Sequence, residues 1–322
     1  MKNVELNLHN LVRITGHLPQ PLLTPLMERF GRFRGDASAA PWEIELGILD
    51  APGYRLRSRP GWVFDEIGAH WLGRSRKRLV IQATERGFRL LVRAPHYGRL
   101  HFGLLWALRI LMARQGGALM HGAVLGNGQH TLMLLGAKRV GKTQLVLRLM
   151  EQQWQLLAED KFLFLHGQAY CLQDHFYLRA HHLHSHPWLP GMLGQPERPA
   201  RRTGEAQWRA GVETLYPGQL ALTLRPDRLA WLSPGEQWQH QPISPTALRQ
   251  ALVQQQRDAF AQFAALDQWQ GDPVSLPDDL PLTGARHYLV PQPIDITVGC
   301  QSLRQWLQAA TPTEGDAQAP RP

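Results

Sequence analysis

Thr131-Leu132-Met133-Leu134-Leu135-Gly136-Ala137-Lys138-Arg139-Val140-Gly141-Lys142-Thr143-Gln144-Leu145-Val146-Leu147-Arg148-Leu149-Met150 reads as a strand, a loop and a helix in direct succession. The apolar run over 131–135 is short and ends at a glycine, as a buried strand does. From Thr143 to Met150 the apolar residues Leu145, Val146 and Leu149 recur at helical spacing. Between them, Gly136–Thr143 satisfies G-x-x-x-x-G-K-[ST] without a mismatch. Strand–loop–helix is the order in which that pattern binds phosphate, because backbone N–H groups converge on the anion and the helix N-terminus adds partial positive charge. Gly136, Ala137, Lys138, Arg139, Val140, Gly141, Lys142 and Thr143 are therefore the expected nucleotide-binding loop (a Walker A motif). Lys142 would reach the β- and γ-phosphates, and the Thr143 hydroxyl would help hold Mg²⁺. The competing reading is a plain strand–turn–helix with a surface lysine.

Such a site also needs a carboxylate for the metal at a neighbouring strand end. Trp154-Gln155-Leu156-Leu157-Ala158-Glu159-Asp160 supplies two, 17 and 18 residues after Lys142, which leaves room for one helix and one strand. Acid pairs also close ordinary turns. Upstream, Leu119–Leu125 and Thr131–Leu135 read as two strands around a Gly126-Asn127-Gly128 turn. His121 falls within the first, where by itself it reads as a core histidine.

With His121-Gly122 15 residues before Gly136 and Asp160 18 after Lys142, these spacings resemble the catalytic core of HPr kinase/phosphorylase and related P-loop kinases, which is similar in turn to ATP-dependent phosphoenolpyruvate carboxykinase. The resemblance covers residues 100–172 firmly and extends loosely to about 300; residues 1–98 lie outside it. It implies an α/β P-loop kinase core with ATP and Mg²⁺ as cofactors. It further implies that Gly136–Thr143 hold the triphosphate and metal, that His121 stands beside the phosphoryl group, and that Glu159 and Asp160 take the places of the family's paired aspartates. Kinases resembling this one often assemble, so a homo-oligomer is among its implications.

The chain departs from the family in three ways. Lys138 and Arg139 stand where the family usually has a small residue and glycine. Glu159 replaces the first aspartate, so either acid can be the base while the other joins Thr143 as metal ligand. The glycine- and arginine-containing segment that accompanies phosphorylase activity has no match, so HPr itself is not the expected acceptor. A serine or threonine of another peptide or protein, or a small hydroxylated metabolite, fits better. Phosphoryl transfer to a hydroxyl needs a carboxylate to take the proton, and a nearby imidazole can tune it. The alternative is a nucleotide-binding regulatory or adaptor protein without transfer.

The rest of the chain sets the frame. Its 322 residues are 43% hydrophobic and 19% charged, enough apolar material for a core. The net charge is +9, which raises nucleic-acid binding as a third reading, but no regular basic–aromatic interleaving supports it. Two cysteines, Cys171 and Cys300, make no disulfide framework, and the N-terminus has no apolar signal core, so a cytoplasmic location is expected. The most apolar stretch, Leu100–Met120, is broken by Arg109, Arg114 and Gly116-Gly117, and reads as a buried helix over His101–Ala113 rather than a membrane span.

Residues 1–98 read as a mixed, mainly β region, with a strand at Trp42–Leu49 and a hairpin of Arg78–Ala83 with Phe88–Arg93. Arg55, Arg57, Arg59, Arg74, Arg76, Lys77 and Arg78 are expected on a solvated β face. Residues 99–310 read as the kinase domain and 311–322 as a disordered tail. Within the former, strands are expected at Leu220–Leu224, Arg228–Leu232 and Ile294–Ile296, and helices at Thr246–Ala265 and Gln301–Ala309. His175, His181, His182, His184 and His186 read as a surface loop rather than a metal site. Arg201-Arg202 and Trp188 are weaker candidates for contacts to phosphate and base.

Overall fold

The computed structural model describes residues 1–36, 38–49, 61–66, 68–72, 77–93, 97–196, 205–271 and 276–309. Arg55, Arg57, Arg59, Arg74, Arg76, Arg201, Arg202 and the expected tail lie outside them, as do the side chains of Lys77 and Arg78. The architecture is mixed α/β, with several sheets. No helix among the described residues is long and apolar enough to cross a membrane.

Two compact units divide the chain. Residues 1–120, 162–166 and 253–280 form the first. Its seven-stranded sheet runs in the order Lys2–Leu8, Val12–Leu18, Trp42–Ile48, Gly87–Val92, Lys77–Thr84, Gly68–Leu72, Gly61–Asp65. Strand alternation explains its two faces. Leu6, Ile14, Ile44, Leu46, Leu79, Ile81, Phe88 and Leu90 are buried on one. On the other, Arg13 meets Glu5 at 2.9 Å and Arg89 meets its register partner Glu45 at 2.7 Å. Those two arginines are therefore a solvated ion-paired face, where such pairs contribute little stability.

The helix Tyr97–Arg114 packs on this sheet, so the helix assigned from sequence to the kinase domain belongs to the β-rich unit. The expected helix over 246–265 is a longer and interrupted feature: Pro245–Ala259, a 3₁₀ turn at Ala261–Phe263, then Ala264–Gln270. Aromatic packing of Phe102 on Phe263 and Trp106 on Trp269 fixes the later part. The same region buries an ion pair: Arg109 Nη1 lies 2.5 Å from Asp267 Oδ2, and Trp106 Nε1 donates to Asp267 Oδ1 at 3.2 Å.

Residues 121–161, 167–252 and 281–309, as far as they are described, form the second unit. Its six-stranded sheet has the order Gln155–Ala158, Ala123–Gly126, Thr131–Gly136, Arg228–Pro234, Arg286–Val290, Gln239–Pro242. Thr131–Gly136, Arg228–Pro234 and Arg286–Val290 run parallel, with Gly136 opposite Leu232 and Leu232 opposite Tyr288. The helix Lys142–Met150 sets Leu145, Val146 and Leu149 into a core shared with Leu132, Leu134, Leu232, Tyr288 and Leu303.

Several local expectations need correction. The single strand read over Leu119–Leu125 is two, Ala118–His121 and Ala123–Gly126. The break falls at Gly122, where a Cβ would lie 2.7 Å from the Leu134 carbonyl oxygen and 2.3 Å from Leu135 Cδ2. Leu220–Leu224 shrinks to Thr223–Leu224, which pairs with Gln168–Cys171 and not with Arg228–Pro234. Ile294–Ile296 is not a strand: the Asp295 carboxylate accepts the N–H groups of Thr297 and Val298 at 3.0 and 3.1 Å and starts the helix Ile296–Ala309. The strand in this region is Arg286–Val290, which the sequence reading passed over. The histidine-rich segment is no surface loop; it is the strand His175–Arg179 and the helix Ala180–Ser185, with His175, His182 and His186 buried.

Candidate functional site

Each turn of the loop after Thr131–Gly136 has a steric cause. Gly136 has φ 145°, and a Cβ there would stand 2.1 Å from the Leu232 carbonyl oxygen, which accepts the Ala137 N–H at 3.2 Å. Only glycine fits so close to a neighbouring strand. Gly141 precedes the helix with φ 93°, again outside the range that L-residues favour. Arg139 also takes a left-handed conformation, at φ 66°, which costs a side-chain-bearing residue about 1–2 kcal/mol. Lys138 and Arg139 are exposed.

Lys142 opens the helix and is buried. Its Nζ donates to the carbonyl oxygens of Gly136 and Ala137 at 3.0 and 2.8 Å, so the amine folds back over its own loop. Burial lowers its pKa to about 8, against the attraction of Glu159 and Asp160. The adjacent Thr143 hydroxyl donates to Glu159 Oε1.

Both acids follow the strand Gln155–Ala158, and their surroundings drive them apart. Burial, helped by the charge of Asp160, raises Glu159 to about 8, and the Thr143 hydrogen bond only partly offsets this. For Asp160, burial pushes the same way but is overcome by Lys161 and His121, which hold it well below the usual carboxylate range. Burial thus favours the neutral form of Glu159, while Lys161 and His121 favour the ionised form of Asp160. His121 Nδ1 lies 3.1 Å from Asp160 Oδ1, with the two side chains 16% and 24% exposed. The backbone helps: Gly122 N donates to the Asp160 carbonyl at 3.0 Å.

The expected residues Lys142, Thr143, Glu159, Asp160 and His121 thus share one cluster. Lys161 joins it, with its ammonium on Asp160 Oδ2. Sequence reasoning passed over Lys161, although a cation directly after an acid pair is a readable signal. Trp188 has a structural post: its indole N–H donates to Glu151 Oε1 at 2.8 Å and its ring meets Tyr216 edge-on. His186 Nδ1 shares that oxygen, also at 2.8 Å.

No group of three or more His, Cys, Asp or Glu side chains among the described residues could hold a metal ion by itself. Thr143 and Glu159 do offer hard oxygen donors beside a loop whose glycines leave no Cβ in the way. That fits Mg²⁺, which usually takes one or two protein oxygens and completes its shell with phosphate and water.

Comparison with protein-family models and with curated proteins gives no match. Among solved structures, the Hpr(Ser) kinase/phosphatase from Coxiella burnetii is similar over 39% of this chain and 77% of its own, at 12% identity and a TM-score of 0.24.

Proposed function

We propose that this protein is an ATP-dependent kinase that passes the γ-phosphoryl group to a hydroxyl of a peptide, a protein or a small metabolite. The observation that carries this reading is the pair of adjacent acids beside the loop, one bonded to the loop threonine and the other to an imidazole. A triphosphate in the loop would draw Lys142 from the Gly136 and Ala137 carbonyls to its own oxygens. Thr143 and Glu159, its carboxyl ionised by the charge of the cation, would hold Mg²⁺. The bound ion would neutralise charge on the β- and γ-phosphates. Asp160, kept ionised by Lys161, takes the acceptor's proton, and His121 orients it.

A second reading rests on the same contacts. With Lys142 and Thr143 satisfied within the chain, the loop could bind a nucleotide as a regulatory signal without transfer. Incubation with γ-labelled ATP, Mg²⁺ and panels of hydroxyl-bearing peptides and metabolites separates the two. Label on an acceptor supports the kinase; tight binding with no transfer to any acceptor or to water supports the regulator.

A further inference from the structure

Ser233 Oγ lies 2.5 Å from His287 Nε2, and the kinase reading uses neither residue. They stand on neighbouring parallel strands, with Ser233 opposite Leu289 and His287 opposite Trp231. Strand alternation therefore puts both side chains on one face of the sheet. The other face carries the packed residues Ala230, Leu232, Tyr288 and Val290, so the pair is not a component of that core. Both residues are half-buried.

Their position ties them to the loop. Leu232, immediately before Ser233, pairs with Gly136 and accepts the Ala137 N–H. Ser233 thus sits at the strand end level with the start of the loop. It flanks the loop strand on one side, while the strand leading to Glu159 and Asp160 lies toward the other. The carboxyl ends of parallel strands are where open α/β sheets place their ligands.

The chemistry of the pair is that of an activated hydroxyl. Burial lowers the His287 pKa and so favours the neutral ring. In the tautomer with its proton on Nδ1, Nε2 accepts the Ser233 hydroxyl hydrogen and can take that proton during attack. We infer that Ser233, paired with His287, is itself a phosphoryl acceptor, a modification site filled from ATP held in the neighbouring loop; this rests on the kinase reading. Ser233 Oγ forms a bond to the γ-phosphorus, the bond from that phosphorus to the β,γ-bridging oxygen breaks, the serine proton passes to His287 Nε2, and ADP leaves.

The test incubates the full chain with γ-labelled ATP and Mg²⁺ and locates phosphate by mass spectrometry, with ATP binding and turnover measured in parallel. The expected result is phosphate at position 233 in the wild type, none in Ser233→Ala or Lys142→Ala, and labelling at least about tenfold slower in His287→Gln. Ser233→Thr, which keeps a hydroxyl, retains the label and serves if the alanine variant fails to fold. Lys142-dependent ATP turnover with position 233 unmodified overturns the inference and leaves the kinase reading standing. Labelling at undiminished rate in Lys142→Ala or His287→Gln also overturns it. Absence of ATP binding overturns both.

Discussion

His121 Nδ1 and Asp160 Oδ1 lie 3.1 Å apart, and the Gly122 N–H bonded to the Asp160 carbonyl fastens the two backbones together. Backbone and side chain together fix the imidazole on the carboxylate, an arrangement suited to the proton transfer proposed for this site. Asp160→Asn keeps the shape and removes the carboxylate proposed as the base. It should retain ATP binding within about threefold and lose transfer by about 10²–10⁴-fold. His121→Asn should slow transfer less, because Lys161 still holds Asp160 ionised. Single-turnover transfer alongside equilibrium binding of ATP checks both.

Arg139 carries the strained conformation of the loop. Arg139→Gly removes a left-handed penalty of about 1–2 kcal/mol but adds unfolded-state entropy, so denaturant unfolding should show unchanged or slightly increased stability. The exposed guanidinium is lost as well, and triphosphate affinity should fall, more steeply at low salt than at high.

The Arg109–Asp267 pair is buried, and Asp267 also accepts the Trp106 N–H. Arg109→Met strands the carboxylate and should cost about 3–5 kcal/mol. Replacing both residues with apolar ones, as in Arg109→Met with Asp267→Leu, should cost clearly less than the single change. A double-mutant cycle by urea unfolding measures the difference.

His182 accepts the Arg179 backbone N–H on Nδ1 at 2.9 Å, which requires that nitrogen to be unprotonated. Burial, reinforced by His181, His186 and Arg179, lowers its pKa to about 3 from an ordinary 6.5. Between those values the unfolded chain binds the proton and the folded chain does not. This contribution to stability is therefore whole above pH 6.5 and declines as pH falls, by up to about 1.4 kcal/mol per pH unit. His182→Gln, which keeps an acceptor and cannot titrate, should flatten the stability slope between pH 6 and 4.5. Equal slopes for the two proteins would contradict the assignment.

What the sequence disclosed followed local rules. The hairpin Lys77–Thr84 with Gly87–Val92, the buried helix Tyr97–Arg114 and the strand–loop–helix around Gly136 each announce themselves through periodicity and glycine. The spacing of the acids from Lys142 was readable for the same reason, since one helix and one strand have nearly fixed lengths. Long-range features were not readable. The break at Gly122 comes from the Leu134 carbonyl, and the burial of His186 depends on Glu151, 35 residues earlier. The strand Arg286–Val290 is recognisable only beside Arg228–Pro234, which also sets His287 against Ser233. Lys161 was legible as a charge, but its contact with Asp160 belongs to the folded site.

Lys142 is the residue on which the proposed triphosphate site turns. Its buried ammonium donates two hydrogen bonds to the carbonyls of its own loop, contacts that phosphate oxygens could replace. Equilibrium titration of a fluorescent ATP analogue with Mg²⁺ into the wild type and Lys142→Ala, with circular dichroism to confirm folding, tests it most directly. Saturable binding is expected for the wild type, with affinity weaker by about 100-fold or more in the folded variant, the loss of a charge-assisted contact worth about 3 kcal/mol. Equal affinity in the two proteins, or no binding to either, would contradict it.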